Sequence, residues 1–358
     1  MILLGSTGSI GVNTLKIAKD FNIEVEALVA GKNIKLLNQQ IKEFNPLYVA
    51  VQNKEEIKKV NHKDVRYGED GILEILNLCK SRQVVNALVG FSGLKPTLES
   101  IKLGKKLALA NKESLVVGGE FIDTSLITPI DSEHFGLWYL QSDRDIKKMI
   151  ITASGGSFAN TPLDELQTVT IKQALNHPNW SMGKKITIDS ATMTNKLFEL
   201  LEAKWLFDID NLDAIIETKS IIHALIDFAD GSTTAHIAGV DMKLPIAYAL
   251  NLDIKEEILK PIDLLEVGSL EFKKIEVDRY PIWAIKDDIL KNPHLGVVIN
   301  SANEVAIERF FSHDISFLDI SKLNLKAYKE FSTLKTTSVE DLFLINDEVR
   351  EFSKRCKL

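Results

Sequence analysis

Two cysteines in 358 residues, Cys79 and Cys356, are too few and too far apart for a thiolate metal site or a disulfide framework. Their scarcity fits a reducing, cytoplasmic setting. No apolar run reaches the eighteen or so residues that a membrane helix requires. The opening MILLGSTGSIG has no basic flank and breaks at Gly5, so it reads as a buried strand and not as a secretory leader. A net charge of −7 leaves nucleic acid without the basic footprint it needs. An anionic small molecule must therefore be met by a local cluster of donors. Internal repeats and low-complexity tracts are also lacking. What remains is an ordinary globular composition, 45% hydrophobic and 26% charged, in a chain long enough for two or three domains.

Residues 1 to about 126 alternate short apolar runs with segments of helical spacing. The runs are Ile2–Leu4, Val25–Val29, Tyr48–Val51, Val84–Ala87 and Leu107–Leu109, and the helical segments include 12–21, 33–43 and 94–103. This alternation predicts an α/β fold with a Rossmann-like, doubly wound parallel sheet. From Ile127 to about Asn251 the pattern becomes mixed α+β. It holds strand-like KKMIITAS, KKITID and SIIHALIDFADGSTTAHIA, one strong helix at 191–207, and a hairpin turning at Asp230-Gly231. Residues 252–278 have little periodicity and read as a linker. Residues 279–358, with VINSANEVAIERFF, SKLNLKAYKEF and SVEDLFLINDEVREFSKR, predict a C-terminal helical bundle.

In ILLGSTGSIG, Gly5, Gly8 and Gly11 stand between the first strand and an amphipathic helix. Glycines there permit a tight turn, and the helix N-terminus offers N–H groups to a pyrophosphate, which favours a dinucleotide; a plain strand–helix turn is the other reading. NAD-binding sheets usually place an acid roughly 20 residues on, at the end of the second strand. Here that point reads ALVAGKN, with Gly31, Lys32 and Asn33 and no acid. A lysine suits a 2′-phosphate, so NADP is favoured; a solvated turn lysine is the other reading.

Four further stretches carry chemistry. ITPIDSEHFG places Asp131 and Glu133 two apart where a strand ends; in extended backbone they share a side and can converge on a divalent cation, or they form a solvated acidic turn. LALANKESLV brings Asn111, Lys112 and Glu113 to a carboxyl edge of the sheet, with Lys112 a carbonyl-polarising candidate and Asn111 a candidate helix cap. ITASGGSF ends a strand with Ser154 in a glycine turn suited to an anion or to nothing more than a turn. In IDSATMTNKLFELLEA, Asp189 or Ser190 can cap the helix, and Asn195, Lys196 and Glu199 share one edge, as a phosphate-and-metal site or a solvated ion pair. HPNWSMG carries His177 and an exposed Trp180 between Pro178 and Gly183, a candidate lid.

GSTGSIG, VAGKN, LANKES, DSEH, SGGSF, HPNWSMG, DSATMTNK, VDMKLPI and SANEVA occur in this order. Together they resemble the 1-deoxy-D-xylulose 5-phosphate reductoisomerase family, from residue 3 to beyond 305. The resemblance implies an NADPH-binding domain (1–126), a catalytic and dimerisation domain (127–251), a linker (252–278) and a helical domain (279–358), in a homodimer. It implies a Mg²⁺ or Mn²⁺ ion held by Asp131, Glu133 and Glu199, which with Lys112 form the catalytic set. Lys112, Ser132 and Glu133 would touch the sugar backbone, and Ser154, His177, Ser190, Asn195 and Lys196 the phosphate, with Trp180 and Glu199 completing the substrate site. Thr7, Gly8, Ser9, Ile10, Gly31, Lys32, Asn33, Asn111, Glu113 and Gly183 would line the NADPH site.

The implied reaction rearranges a ketose phosphate by retroaldol cleavage and re-addition, then reduces the branched aldehyde to 2-C-methyl-D-erythritol 4-phosphate. Two departures stand out. Leu197 follows Asn195-Lys196 where the family usually has glycine. Glu217, Thr218, Lys219 and Ser220 stand where many members read His-Pro-Gln-Ser. An NADP-dependent dehydrogenase without rearrangement, or a non-catalytic dinucleotide sensor, would use the same glycine loop. Neither would need three metal-binding carboxylates.

Overall fold

The structure is a computed structural model that describes residues 1–358. The chain forms two compact units built from segments distant in sequence. One comprises Met1–Ser114, Ile122–Phe135 and Asp241–Lys260; the other comprises Leu115–Phe121, Gly136–Val240 and Pro261–Leu358.

The first unit is a doubly wound sheet of seven parallel strands: β1 (Ile2–Leu4), β2 (Ala27–Ala30), β3 (Tyr48–Val51), β4 (Val65–Tyr67), β5 (Gln83–Asn86), β6 (Lys106–Leu109) and β7 (Ile127–Pro129). The order is β4-β3-β2-β1-β5-β6-β7, so the winding reverses at β1. In such sheets ligands bind outside the carboxyl ends at the reversal. β1, β2 and β3 are almost wholly buried, as strands covered on both faces must be, which explains their unbroken apolar runs. Helices α1 (Ser9–Asp20), α2 (Ile34–Phe44), α3 (Gly68–Leu78), α4 (Leu94–Lys102) and α5 (Lys112–Gly118) follow β1, β2, β4, β5 and β6, and α6 (Ser132–Leu140) follows β7. Its core holds Leu3, Leu15, Ile17, Leu28, Leu37 and Val49, together with Ile246, Ala247 and Leu250 from or beside a late helix at Lys243–Ala249.

The second unit carries a five-stranded mixed sheet, β8 (Ile146–Ala153), β9 (Leu212–Glu217), β10 (Ile222–Phe228), β11 (Thr233–Ile237) and β12 (Phe272–Lys273), in the order β11-β10-β8-β9-β12. β8 and β9 are parallel and the other pairs antiparallel. The β10–β11 hairpin turns at Gly231 (φ +87), as Asp230-Gly231 predicted. Short α7 (Ile171–Ala174), then α8 (Lys184–Ala191) and α9 (Thr194–Phe207), connect β8 to β9. Helices at Gly296–Phe311, Phe317–Glu330 and Val339–Arg355 form the C-terminal bundle, with Phe317 packed edge-on against Phe158 and Phe310. No helix is long and apolar enough to cross a membrane.

Three local expectations are overturned. KKITID is helical, not a strand: it forms α8, which buries Thr187, Ile188, Asp189 and Ala191. Tertiary burial outweighs the β-branched preference of Ile186, Thr187 and Ile188. The expected 191–207 helix is therefore preceded by a break at Met193, whose left-handed backbone (φ 67) separates α8 from α9. Asp189 and Ser190 consequently lie inside α8 and do not cap α9.

Candidate active site

In the first unit, Gly5 leaves β1 with φ +88, and a Cβ there would lie 2.3 Å from the Ala87 carbonyl oxygen beyond β5. Only glycine fits this turn. Gly8 then starts α1 in extended backbone with no side-chain cap, and Gly8 and Ser9 are exposed between half-buried Thr7 and Ile10. The helix N-terminus therefore presents N–H groups to an anion at the sheet's reversal point. At the end of β2, Asn33 accepts the Leu36 N–H (3.2 Å) and caps α2, while Lys32 is exposed beside Gly31.

The carboxyl end of β6 is tightly organised. Asn111 is buried and donates to the carbonyls of Leu88 (3.0 Å) and Gly90 (2.9 Å) and to the Glu113 carboxylate (3.0 Å). Its Oδ1 accepts the Ser114 N–H (3.1 Å). The capping role of Asn111 is thus correct, and the same side chain orients Glu113. Gly93 makes room for it, because a Cβ there would lie 2.2 Å from Asn111 Oδ1; sequence reasoning missed that residue. Lys112, 5% exposed, places its ammonium 2.5 Å from Asp131 Oδ2.

Asp131 and Glu133 meet, but not by the expected route. Glu133 sits in the first turn of α6, with the Asp131 carbonyl accepting the Phe135 N–H (2.8 Å), so the pair is not extended. A carboxylate oxygen of each still lies within 4.8 Å of the other. Ser132 donates to Glu133 Oε2 (2.6 Å), fixing that carboxylate.

In the second unit, Ser154 and His177 come together through Oγ and Nε2 at 2.9 Å. The tautomer follows from the partners. His177 Nδ1 accepts the N–H groups of Asn179 (3.2 Å) and Trp180 (3.0 Å), so the ring proton resides on Nε2 and is donated to Ser154. Ser154 Oγ also accepts the Gly156 N–H (3.0 Å), which leaves its own O–H to point at an incoming acceptor. Burial lowers the His177 pKa to about 4, so the ring is neutral at physiological pH. Gly156 (φ +68) presses this turn onto α8, since a Cβ would lie 2.7 Å from the Ser190 carbonyl oxygen. Tyr280, not foreseen from sequence, steadies the turn by donating to the Gly155 carbonyl (2.8 Å).

Asn195, Lys196 and Glu199 share one side of α9, and the pair is not solvated. Lys196 and Glu199 are 4% and 1% exposed. Lys196 donates to Glu199 Oε2 at 2.5 Å and Asn195 donates to Oε1. A lysine and a glutamate buried together in a helix interior are costly unless well paired and hydrogen-bonded, unlike a surface pair. Asp189, buried beside Ser190, is held by Lys185 (2.8 Å) and Asn303 (2.6 Å). Trp180 is half-buried, not exposed, with its ring edge-on to His223 at 6.2 Å. Gly183 caps α8 in extended backbone.

Family models described as 1-deoxy-D-xylulose 5-phosphate reductoisomerase, its C-terminal domain, and a DXP reductoisomerase C-terminal domain match residues 1–119, 127–207 and 237–352. The enzyme of that name from Nautilia profundicola is 58% identical, over 98% of both chains. The chain belongs to the 1-deoxy-D-xylulose 5-phosphate reductoisomerase family. The Helicobacter pylori J99 reductoisomerase is 48% identical, again over 98% of both chains. Among solved structures, a DOX-P reductoisomerase in complex with NADPH, fosmidomycin and magnesium superposes with TM-score 0.90 at 33% identity, covering 98% of this chain and 96% of that one. The Zymomonas mobilis reductoisomerase in complex with NADPH gives 0.88 at 32% identity, covering 99% and 97%.

Proposed function

We infer that this protein converts 1-deoxy-D-xylulose 5-phosphate to 2-C-methyl-D-erythritol 4-phosphate with NADPH and a divalent metal ion, in the non-mevalonate route to isoprenoid precursors. The observation that carries the reading is full-length membership of the family, joined to a neighbour solved with NADPH, fosmidomycin and magnesium. The assignment of residues to roles is our proposal. Thr7, Gly8, Ser9, Ile10, Gly31, Lys32, Asn33, Asn111, Glu113 and Gly183 would hold NADPH, with Lys32 on the 2′-phosphate. Asp131, Glu133 and Glu199 would hold the metal.

The donor chemistry fits. All three are carboxylates, the oxygen ligands that Mg²⁺ and Mn²⁺ prefer, and each half of the set is fixed by a neighbouring donor. When bound, such an ion polarises adjacent carbonyl and hydroxyl oxygens of the sugar, and NADPH supplies the hydride for the final reduction. The chain's own groups bind and orient. Ser154 gives its free O–H to the phosphate, while Ser190, Asn195 and the Lys196 ammonium add donors. Neutral His177 holds Ser154 in that orientation. Lys112, Ser132 and Glu133 would position the sugar backbone, and Trp180 would close over it to exclude water. Binding energy from the phosphate end then supports orientation at the reacting carbons.

We further propose a functional division into residues 1–126 for NADPH, 127–251 for metal, substrate and dimerisation, 252–278 as linker and 279–358 as a supporting bundle. The protein is proposed to act as a cytoplasmic homodimer; its free thiols, Cys79 and Cys356, suit a reducing compartment. The test of the activity is NADPH oxidation that requires both the ketose phosphate and a divalent ion. Chelation should abolish turnover and added Mn²⁺ restore it. Turnover indifferent to chelator would point to a dehydrogenase without rearrangement, and no turnover to a dinucleotide sensor.

A further inference from the structure

No role above absorbs the turn between β9 and β10, Glu217 to Ser220. Glu217, the last residue of β9, is 0% exposed. Its carboxylate collects backbone N–H groups in place of a cationic side chain. Oε1 accepts from Lys219 (2.8 Å), and Oε2 accepts from Ile221 (3.0 Å) and Ile222 (3.3 Å). Ser220, at the apex, holds a left-handed backbone (φ 56), a conformation that a non-glycine residue keeps only when its surroundings enforce it. Here the enforcing group is the Glu217 carboxylate. Lys219 adds a clamp from outside, its ammonium donating to the carbonyls of Val267 (2.7 Å) and Ser269 (2.8 Å).

The ordered turn faces the His177–Gly183 loop. Asn179 reaches across, its Nδ2 donating to the Thr218 carbonyl (2.8 Å) and to Ser220 Oγ (2.7 Å). Both acceptors belong to the turn that Glu217 ties down from within and Lys219 from outside. On its other side, Asn179 gives its backbone N–H to His177 Nδ1, and Trp180 does the same. Those two contacts set the tautomer that lets Nε2 hold Ser154. A continuous line of hydrogen bonds therefore runs from Glu217 through the turn and Asn179 to His177 and Ser154.

We propose that Glu217 and Asn179 are positioning residues that favour the phosphate-binding conformation of the loop bearing His177 and Trp180. The inference rests on the reductoisomerase reading and names two residues which that reading leaves without work. Contacts that favour the closed loop offset part of the cost of ordering it on binding, so their loss should appear as weaker substrate binding.

The experiment compares wild type, Glu217→Gln, Asn179→Ala and the double variant, with Mn²⁺ and NADPH present. It measures KM and kcat for the sugar phosphate, the NADPH Kd and the thermal midpoint. Glutamine at this position would keep the shape but turn an N–H donor toward backbone N–H groups. Each single variant should raise the sugar phosphate KM roughly tenfold, the effect of freeing one or two held side chains, with NADPH Kd within about twofold of wild type. The double variant should be no worse than about twice the poorer single, because both act along one line.

A lowered thermal midpoint with unchanged KM would overturn the proposal, as would parallel loss of NADPH affinity or multiplicative effects in the double variant. If Glu217→Gln does not fold, Ser220→Ala, which removes one Asn179 acceptor, takes its place with the same expected KM rise. Absence of turnover in wild type would sink the reductoisomerase reading itself; wild-type turnover with unaffected variants would sink only this inference.

Discussion

Replacing Glu199 by glutamine isolates charge from shape. The two side chains are isosteric, and Glu199 is 1% exposed, so water cannot compensate. The glutamine oxygen can still accept from Lys196, and Asn195 can rotate its amide to meet the new NH₂. Hydrogen bonding thus survives while the charge is lost. Lys196, 4% exposed, then holds an ammonium whose carboxylate has gone. Breaking a buried pair outright costs about 3–5 kcal/mol, and a retained hydrogen bond reduces that to about 2–3 kcal/mol of stability. On the proposed assignment, catalysis loses one of three anionic metal ligands and the setting of Lys196. If that removes about 3–4 kcal/mol of transition-state stabilisation, kcat/KM falls roughly 10²- to 10³-fold. NADPH affinity should stay within about twofold, because Glu199 is not among the residues proposed to hold NADPH. Absorbance of NADPH during turnover, across a Mn²⁺ titration, reads the first effect; NADPH fluorescence reads the second. Turnover within about threefold of wild type at an unchanged Mn²⁺ requirement would refute the ligand role. Parallel loss of turnover and NADPH affinity would reduce Glu199 to a support of the fold.

Two further outcomes are expected. His177, with its pKa lowered to about 4, should show no imidazole NMR titration near pH 6.5; the unfolded chain takes up this proton first, so its contribution to stability is complete above about pH 6.5 and declines as pH falls toward 4. A midpoint near 6.5, assigned by loss of the resonance in His177→Asn, would contradict a neutral ring buried against Ser154. Lys32→Ala should weaken NADPH binding about tenfold to a hundredfold, the worth of one charge-assisted contact, and leave NADH binding nearly unchanged; equal effects on the two would remove Lys32 from the 2′-phosphate.

The parallel sheet was legible because buried central strands are unbroken apolar runs: Ile2–Leu4 and Tyr48–Val51 appear with the expected bounds. β4 escaped because a short edge strand such as VRY carries no such run, whereas β7 was read from the strand ending ahead of Asp131. KKITID misled because alternation of β-branched residues is a local signal, whereas the helix is imposed by what packs around Ile188. At the site, residue types were readable and their geometry was not. Asp131 and Glu133 were paired correctly on an incorrect extended backbone, and the burial of Lys196 with Glu199 has no trace in i, i+3 spacing. Gly93 and Tyr280 gave no motif, since they make room for or steady residues far off in sequence, and Asn179 lay inside HPNWSMG with no role of its own legible there.

The late return of Lys243–Ala249 to the first unit bears on how the protein is made. Ile246 and Leu250 fill the same core as Leu15 and Ile17, and each buried side chain of this size is worth roughly 1.5–3 kcal/mol, against about 5–15 kcal/mol for a whole domain. A ribosome that has released Phe135 still has more than a hundred residues to add before Leu250 emerges, on the order of ten seconds of translation. During that interval the nascent parallel sheet displays an unfinished apolar face to solvent. A fragment ending near residue 126 would be caught permanently in that state, so it should need chaperone cover and aggregate when purified, while one that supplies 241–260 in trans should regain solubility.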